Sequence, residues 1–162
     1  MADGTIITNV TDVLAVCSKI IESAENEVLY ISPPSLLILA SQLSLTERTK
    51  AFIQGGGQMR GIADISYPYI GEIRYFLDNG VDVHHFHQYV GIFMLVGDEK
   101  ESISTMTVNG ENLSTDTPIV ALWSDSPTYA EYLMSTFEMA WGQSIPAIQR
   151  IEELLKEGAQ DI

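Results

Sequence analysis

One cysteine, Cys17, is the whole sulfhydryl content of this 162-residue chain. It has no partner within the chain, which excludes an internal disulfide scaffold and points to a reducing compartment. Positive charge is also scarce. Eight Lys and Arg stand against 22 Asp and Glu, for a formal charge of −14. Phosphate contacts need clustered Lys and Arg, so the balance argues against nucleic-acid binding. It argues equally against an anionic membrane surface. No apolar run approaches the ~20 residues of a membrane span. The opening MADGT lacks the basic region of a signal peptide, so a cytoplasmic protein is expected. There is no G-x-S-x-G elbow, and the glycine run GGGQMR lacks the G-K-[ST] ending of a phosphate loop.

What is present is an alternation of helical and strand patterns. The apolar fraction of 46% suffices for a core. A helix starts near Asn9 or Thr11 and runs to about Glu25, with Val10, Val13, Val16, Cys17, Ile20, Ile21 and Ala24 on its apolar face. Cys17 falls on that face and reads as a buried structural thiol. Glu27 to Ser32 is a strand stopped by Pro33-Pro34. The segment LLILASQL is helical, and SLTE from Ser44 has the capping-box form of a fresh start, with Glu47 three residues on. Gly55-Gly56-Gly57 ends that helix. Strands follow at Gln58–Asp64 and Val81–Phe86, around a short helix from Pro68 to Asn79.

Ile92 to Val96 is continuously apolar, the pattern of a strand buried on both faces. Ser102–Val108 and Pro118–Trp123 complete the sheet. Ser126-Pro127 starts a helix with Ser as cap and Pro in the first turn. Tyr129, Leu133, Phe137 and Trp141 step by four and face inward. A last helix starts at Ser144, its stripe formed by Ile148, Ile151, Leu154 and Leu155. The order α-β-α-β-α-β-β-β-β-α-α describes a single α/β domain, a mixed sheet flanked by helices, with crossovers early and hairpins late.

All three histidines lie in VDVHHFHQYVGIFMLVGD, from Val81 to Asp98. On a strand His85 and His87 share a face and His84 lies opposite. An H-x-H pair can hold zinc but needs further ligands. Cys17 sits in a helix, and Asp64 and Asp98 are unplaced by the sequence. No metal site is therefore expected, and a metal-dependent enzyme built on His84, His85 and His87 stays as the alternative.

Several local strings resemble the phospholipase-D-like fold in its non-catalytic archaeal branch. That branch includes the sensory domains of archaeal histidine kinases and, more distantly, the effector domains of TrmB-type sugar-responsive regulators. EVLYISPP resembles the first strand and turn, QMRGIADIS the R-G-I-T-E-I-T strand, and GVDVHHF the V-E-V-R-H-L strand. FEMAWGQSIPAIQRIEEL resembles the closing F-D-x-L-W-x-x-A-I-P-A-x-x-R-I-x-E-I helices. The resemblance covers roughly Val10 to Gly158. Residues 10–158 are read as the domain, 1–9 as an N-terminal tail and 159–162 as a C-terminal tail.

The catalytic motif of phospholipase D chemistry is H-x-K-x-x-x-x-D. Its histidine acts as nucleophile or general acid, and its lysine stabilises phosphoryl charge. With Asp98 as the aspartate, the lysine position is Phe93 and the histidine position Gly91. No other H-x-K exists in the chain. The resemblance thus implies no enzyme, no catalytic residue and no cofactor, and Asp98 reads as a turn residue.

In α/β sheets ligands gather outside the carboxyl ends of strands. The residues offered there are Ser32 and Ser35, then Asp64, Ser66 and Tyr67, then His85 and His87, then Trp123 and Asp125. This set suits a small-molecule ligand or a partner segment. The expected role is sensory or regulatory, in archaeal signalling or transcriptional control, with output through another protein. A structural assembly subunit is a further alternative. A homodimer is expected, because single-motif members of the fold pair two similar halves and isologous pairing is the commonest symmetric solution.

Overall fold

Asn9 fixes where the first helix begins. Its backbone is extended, and its side-chain oxygen accepts from the Asp12 N–H at 2.8 Å, which satisfies one of the free donors of the first turn. The computed structural model that shows this describes residues 4–42, 45–87, 93–105 and 113–160. Before Asn9, Gly4–Asn9 forms strand β1, paired antiparallel with a late strand. Residues 4–9 are thus part of the sheet, where the sequence reading had a tail. The chain continues as α1 Val10–Ser23, β2 Glu27–Ile31, α2 Pro34–Gln42, α3 Leu45–Gln54 and β3 Gln58–Ala63. A single 3-10 turn at Tyr67–Tyr69 leads into α4 Ile70–Asp78. Then come β4 Asp82–His85, β5 Phe93–Gly97, β6 Glu101–Thr105, β7 Pro118–Ser124, α5 Pro127–Gln143, the two-residue β8 Ile145–Pro146, and α6 Ala147–Gln160.

Each boundary has a local cause. Pro34 takes the first position of α2, where its missing N–H costs nothing. The capping box at Ser44 lies outside the described residues. Gly56 takes φ +99° after α3, a left-handed stop that glycine adopts without a Cβ clash. Ser126 caps α5, its Oγ accepting from the Tyr129 N–H at 3.3 Å, with Pro127 in the first turn.

The strands form one eight-stranded sheet in the order β1-β7-β6-β5-β2-β3-β4-β8. β2, β3 and β4 are parallel, and every other pairing is antiparallel. The fold is a mixed α/β layered domain. Strand alternation divides the core. Val28 and Tyr30 of β2, with Phe93 and Leu95 of β5, face α1 to α4 and α6; Leu29, Ile31, Met94 and Val96 face α5. All of Phe93–Gly97 is buried, as its unbroken apolarity requires. On α5, Leu133 and Phe137 are buried and Tyr129 and Trp141 pack beside them.

The last helix differs from expectation. Ala147, Ile151 and Leu154 face the core, whereas Ile148 is 57% and Leu155 41% exposed. At ~100° per residue, the 147-151-154 stripe is rotated by one position from a stripe through 148 and 155. No helix among the described residues is long and apolar enough to cross a membrane.

Candidate functional site

The parallel strands end in one row. Ala63 faces His85, and His85 faces Ile145. The Ser32 N–H donates to the Ile62 carbonyl at 3.0 Å, and Met94 faces Ile31, which sets Phe93 beside Ser32.

His85 and His87 converge on Asp64. The His87 Nδ1 lies 3.2 Å from Asp64 Oδ2, and the His85 Nδ1 lies 3.8 Å from Asp64 Oδ1. The His85 contact is not a hydrogen bond to the carboxylate. That nitrogen accepts from the Ile65 N–H at 2.9 Å, so it carries no proton and the neutral ring holds its hydrogen on Nε2. Two partners claim one nitrogen, and the shorter, directed bond decides. Burial, then the nearby Arg150 guanidinium, hold the His85 pKa below the ordinary histidine value; Asp64 pulls the other way without reversing it, and His87 adds to the lowering. Arg150 is placed by α6, its Nε donating to the Ile65 carbonyl at 3.2 Å. The closing-helix string holds this arginine, but its spacing alone does not point it at a histidine 65 positions earlier.

His84 belongs to the other face. Its ring stacks on Trp141 at 3.6 Å between centroids, with 16° between planes. Its Nδ1 lies 2.7 Å from Ser144 Oγ, which donates its own hydrogen to the Trp141 carbonyl. His84 therefore donates from Nδ1 and packs as a core-edge aromatic. Burial lowers its pKa, with Asp82 opposing and Arg60 assisting. The HHFH string is thus two environments on opposite faces. Among the described residues, no three His, Cys, Asp or Glu side chains are arranged to hold a metal ion. A metal at His85 would also have to use Nε2, because the Ile65 N–H occupies Nδ1.

The remaining candidates divide by place. Ser32 and Ser35 are buried at the start of α2, the Ser32 Oγ donating to the Pro33 carbonyl at 2.9 Å. Ser66 precedes the 3-10 turn in extended conformation, and Tyr67 is 59% exposed beside α6. Trp123 does not join them. Its Nε1 donates to Glu101 Oε2 at 2.8 Å. β7 stands five strands from β4, roughly 24 Å at ~4.8 Å per strand. β7 also runs opposite to β2, so Asp125 lies at the amino ends of the parallel strands. A strand end alone does not fix which edge of the sheet a residue occupies; the direction of β7 sets Trp123 and Asp125 apart from His85.

Phe93 stands where the phospholipase D motif would put its lysine. It is 3% exposed and faces the α1 side of the sheet among apolar neighbours. The histidine cluster stands apart from Phe93: β4 lies three strands from β5, roughly 14 Å away. Gly91 lies outside the described residues. Asp98 is a turn residue with a specific task. Its Oδ2 accepts from the Glu25 N–H at 2.7 Å, and its Oδ1 accepts from the Asn26 and Glu27 N–H groups at 2.9 Å each. Burial raises its pKa, but these three bonds and Lys100 outweigh that and leave it below the ordinary carboxylate value.

No family model matches the chain, and no curated protein matches it. Solved structures do. The chain is similar to TrmBL2, an archaeal chromatin protein whose structure shows a novel mode of DNA binding, at 13% identity and a TM-score of 0.68. That match covers 89% of this chain and 54% of TrmBL2, so the chain spans about half of that protein's length. It is similar to Nuc from Salmonella typhimurium, a phospholipase D family member, at 10% identity and a TM-score of 0.66, over 88% of this chain and 97% of Nuc. It is similar to NucT from Helicobacter pylori at 13% identity and a TM-score of 0.67, over 88% of this chain and 98% of NucT. The fold is the phospholipase-D-like one.

Proposed function

We propose that this chain is a non-catalytic phospholipase-D-like module that acts in sensing or regulation, in archaeal signalling or transcriptional control. It holds a ligand or a protein partner at the carboxyl ends of its parallel strands. The observation that carries this reading is Phe93, buried at 3% exposure at the motif's lysine position. An apolar ring cannot supply the cation that stabilises charge on a transferring phosphoryl group. The regulatory half of the reading draws support from the likeness to TrmBL2, which is a likeness of fold. The charge of −14 favours output through another protein over direct contact with phosphates.

The catalytic half has a direct test. Bis(p-nitrophenyl) phosphate and a phospholipid are incubated with the protein, with and without chelator. The expected result is hydrolysis no faster than buffer. Turnover that survives repurification and disappears in His85→Ala would show an enzyme using the histidine cluster, and the proposal fails.

Self-association completes the reading. β5 is covered by the chain's own helices, but Ile6 on β1 (60% exposed), Val120 on β7 (64%) and Tyr132 on α5 (67%) are left in solvent. A dimer that buries them is the expected state. Static light scattering at tens of micromolar should give about twice the chain's mass of 17.9 kDa. A monomer mass that does not change with added salt would refute pairing, since screening removes the repulsion between acidic copies.

A further inference from the structure

The two edges of the sheet are finished differently. β1 stands at one end, and among the described residues it pairs with β7 alone. In an antiparallel pair, residues alternate in turning their N–H and C=O groups toward and away from the partner, so about half of the β1 backbone groups point outward. Strand edges are commonly blunted by Pro, by charged side chains or by shortness. GTIITN is six residues long, with no Pro and no charged side chain. The opposite edge has such devices. β8 is two residues long, and one of them, Pro146, has no N–H to offer.

The side chains of β1 extend the contrast. Ile6 aligns with Leu122, Leu122 with Ser104, and Ser104 with Met94, which faces α5. Aligned residues share a face, and residues two apart on a strand do too. Ile6, Leu122 and Val120 therefore form an apolar row on the α5 face of the sheet, with Ile6 and Val120 exposed. Neither this row nor β1 carries a charge, in a chain of net charge −14.

We propose that β1 is a dimer seam: two copies of this chain pair β1 to β1, antiparallel, about a two-fold axis normal to the sheet, so that two eight-stranded sheets run on as one. The inference rests on the expected dimer and names its contact. A second copy is the occupant that fits. The two-fold keeps the α5 face of both copies on the same side, so their apolar rows merge across the seam. Acidic molecules that repel over most of their surface meet here at an uncharged strand. The blunted β8 edge offers no second place to add a strand, so the assembly closes at two copies and does not grow into a fibre.

The test is hydrogen exchange of the whole chain at low and at high micromolar concentration, read by mass spectrometry beside light scattering. Outward-facing amides of β1 exchange only from the monomer. They should slow about tenfold where nine chains in ten are paired, while those of β5 do not change. Ile6→Glu sets a carboxylate of each copy at the seam, where like charges across a strand pair repel. It should weaken dimerisation about tenfold, whereas Val120→Glu, one strand away from the seam, should act less. A dimer whose β1 amides exchange equally at both concentrations, or one that Val120→Glu disrupts and Ile6→Glu spares, would overturn the seam and leave the dimer standing. A chain that stays monomeric at high concentration, with β1 amides exchanging freely, would overturn both and leave the edge to an extended segment of another protein.

Discussion

Gly61→Ala is expected to lower the unfolding free energy by about 3 kcal/mol, the upper part of the range for overpacking a filled core. A Cβ at this position would sit 1.9 Å from Tyr30 Cζ and within 2.4 Å of both ring ε-carbons. Atoms cannot share that space, so the ring must leave. It has little room to do so, because Val28, Met59 and Phe76 are buried on the same face. The effect is one of pairing, and a cycle isolates it. Tyr30→Leu alone should also destabilise, by leaving space over Gly61. In the double variant the alanine methyl occupies part of that space, so the combined loss should be smaller than the sum of the two. Urea denaturation of the four proteins measures this. Additive losses would show that the glycine is there for some reason other than the ring.

This pair also shows what a sequence can and cannot convey. A glycine inside a strand signals a close approach of some group, but not which one. Tyr30 and Gly61 are partners only because β2 and β3 align with Tyr30 opposite Gly61, a register absent from either segment alone. The long, strongly patterned pieces were legible. The step of four from Tyr129 to Trp141 gives the buried face of α5, and the continuous apolarity of the IFMLV segment gives a strand covered on both sides. Short edge pieces were not. β1 is six residues with no buried side chain, so GTIITN carries no alternation to read. β8 is two residues long and exists only because β4 offers it a free edge. Asp64, His85 and His87 stand together because neighbouring strands run parallel there, an adjacency that strand order conveys; Trp123 stands apart because β7 runs the other way, which strand order does not convey. Alternation placed His84 opposite His85, but the Trp141 stack and the Arg150 contact are tertiary and had no local signal.

Asp98 carries the second large effect. Asp98→Ala should lower stability by about 3 kcal/mol, since three backbone N–H groups lose a charged acceptor. The turn adds to the loss: Asp98 and Glu99 take φ of 51° and 61°, a left-handed conformation that Asp and Asn tolerate better than Ala. Asp98→Asn should cost about half as much. Its carbonyl oxygen can keep the Asn26 and Glu27 bonds, while its amide faces the Glu25 N–H donor to donor. Acid separates this carboxylate from the histidines. The Asp98 pKa is depressed by folding, so its contribution is full above the unfolded value of about 3.9 and is lost as pH falls through the folded value. His84 and His85 are depressed too, through burial first. Their contribution is full above about 6.5 and begins to be lost as pH falls below it toward their folded values. Neutralising a chain of charge −14 relieves repulsion in the same range and pushes stability upward, so only differences between variants are informative. The gap between wild type and His85→Gln should narrow as pH falls from 7 to 5. The gap between wild type and Asp98→Asn should hold steady there and close only below about pH 4. Urea midpoints across that range measure both gaps, and an Asp98→Asn gap that closed in step with that of His85→Gln would refute the assignment of the acid window to this carboxylate.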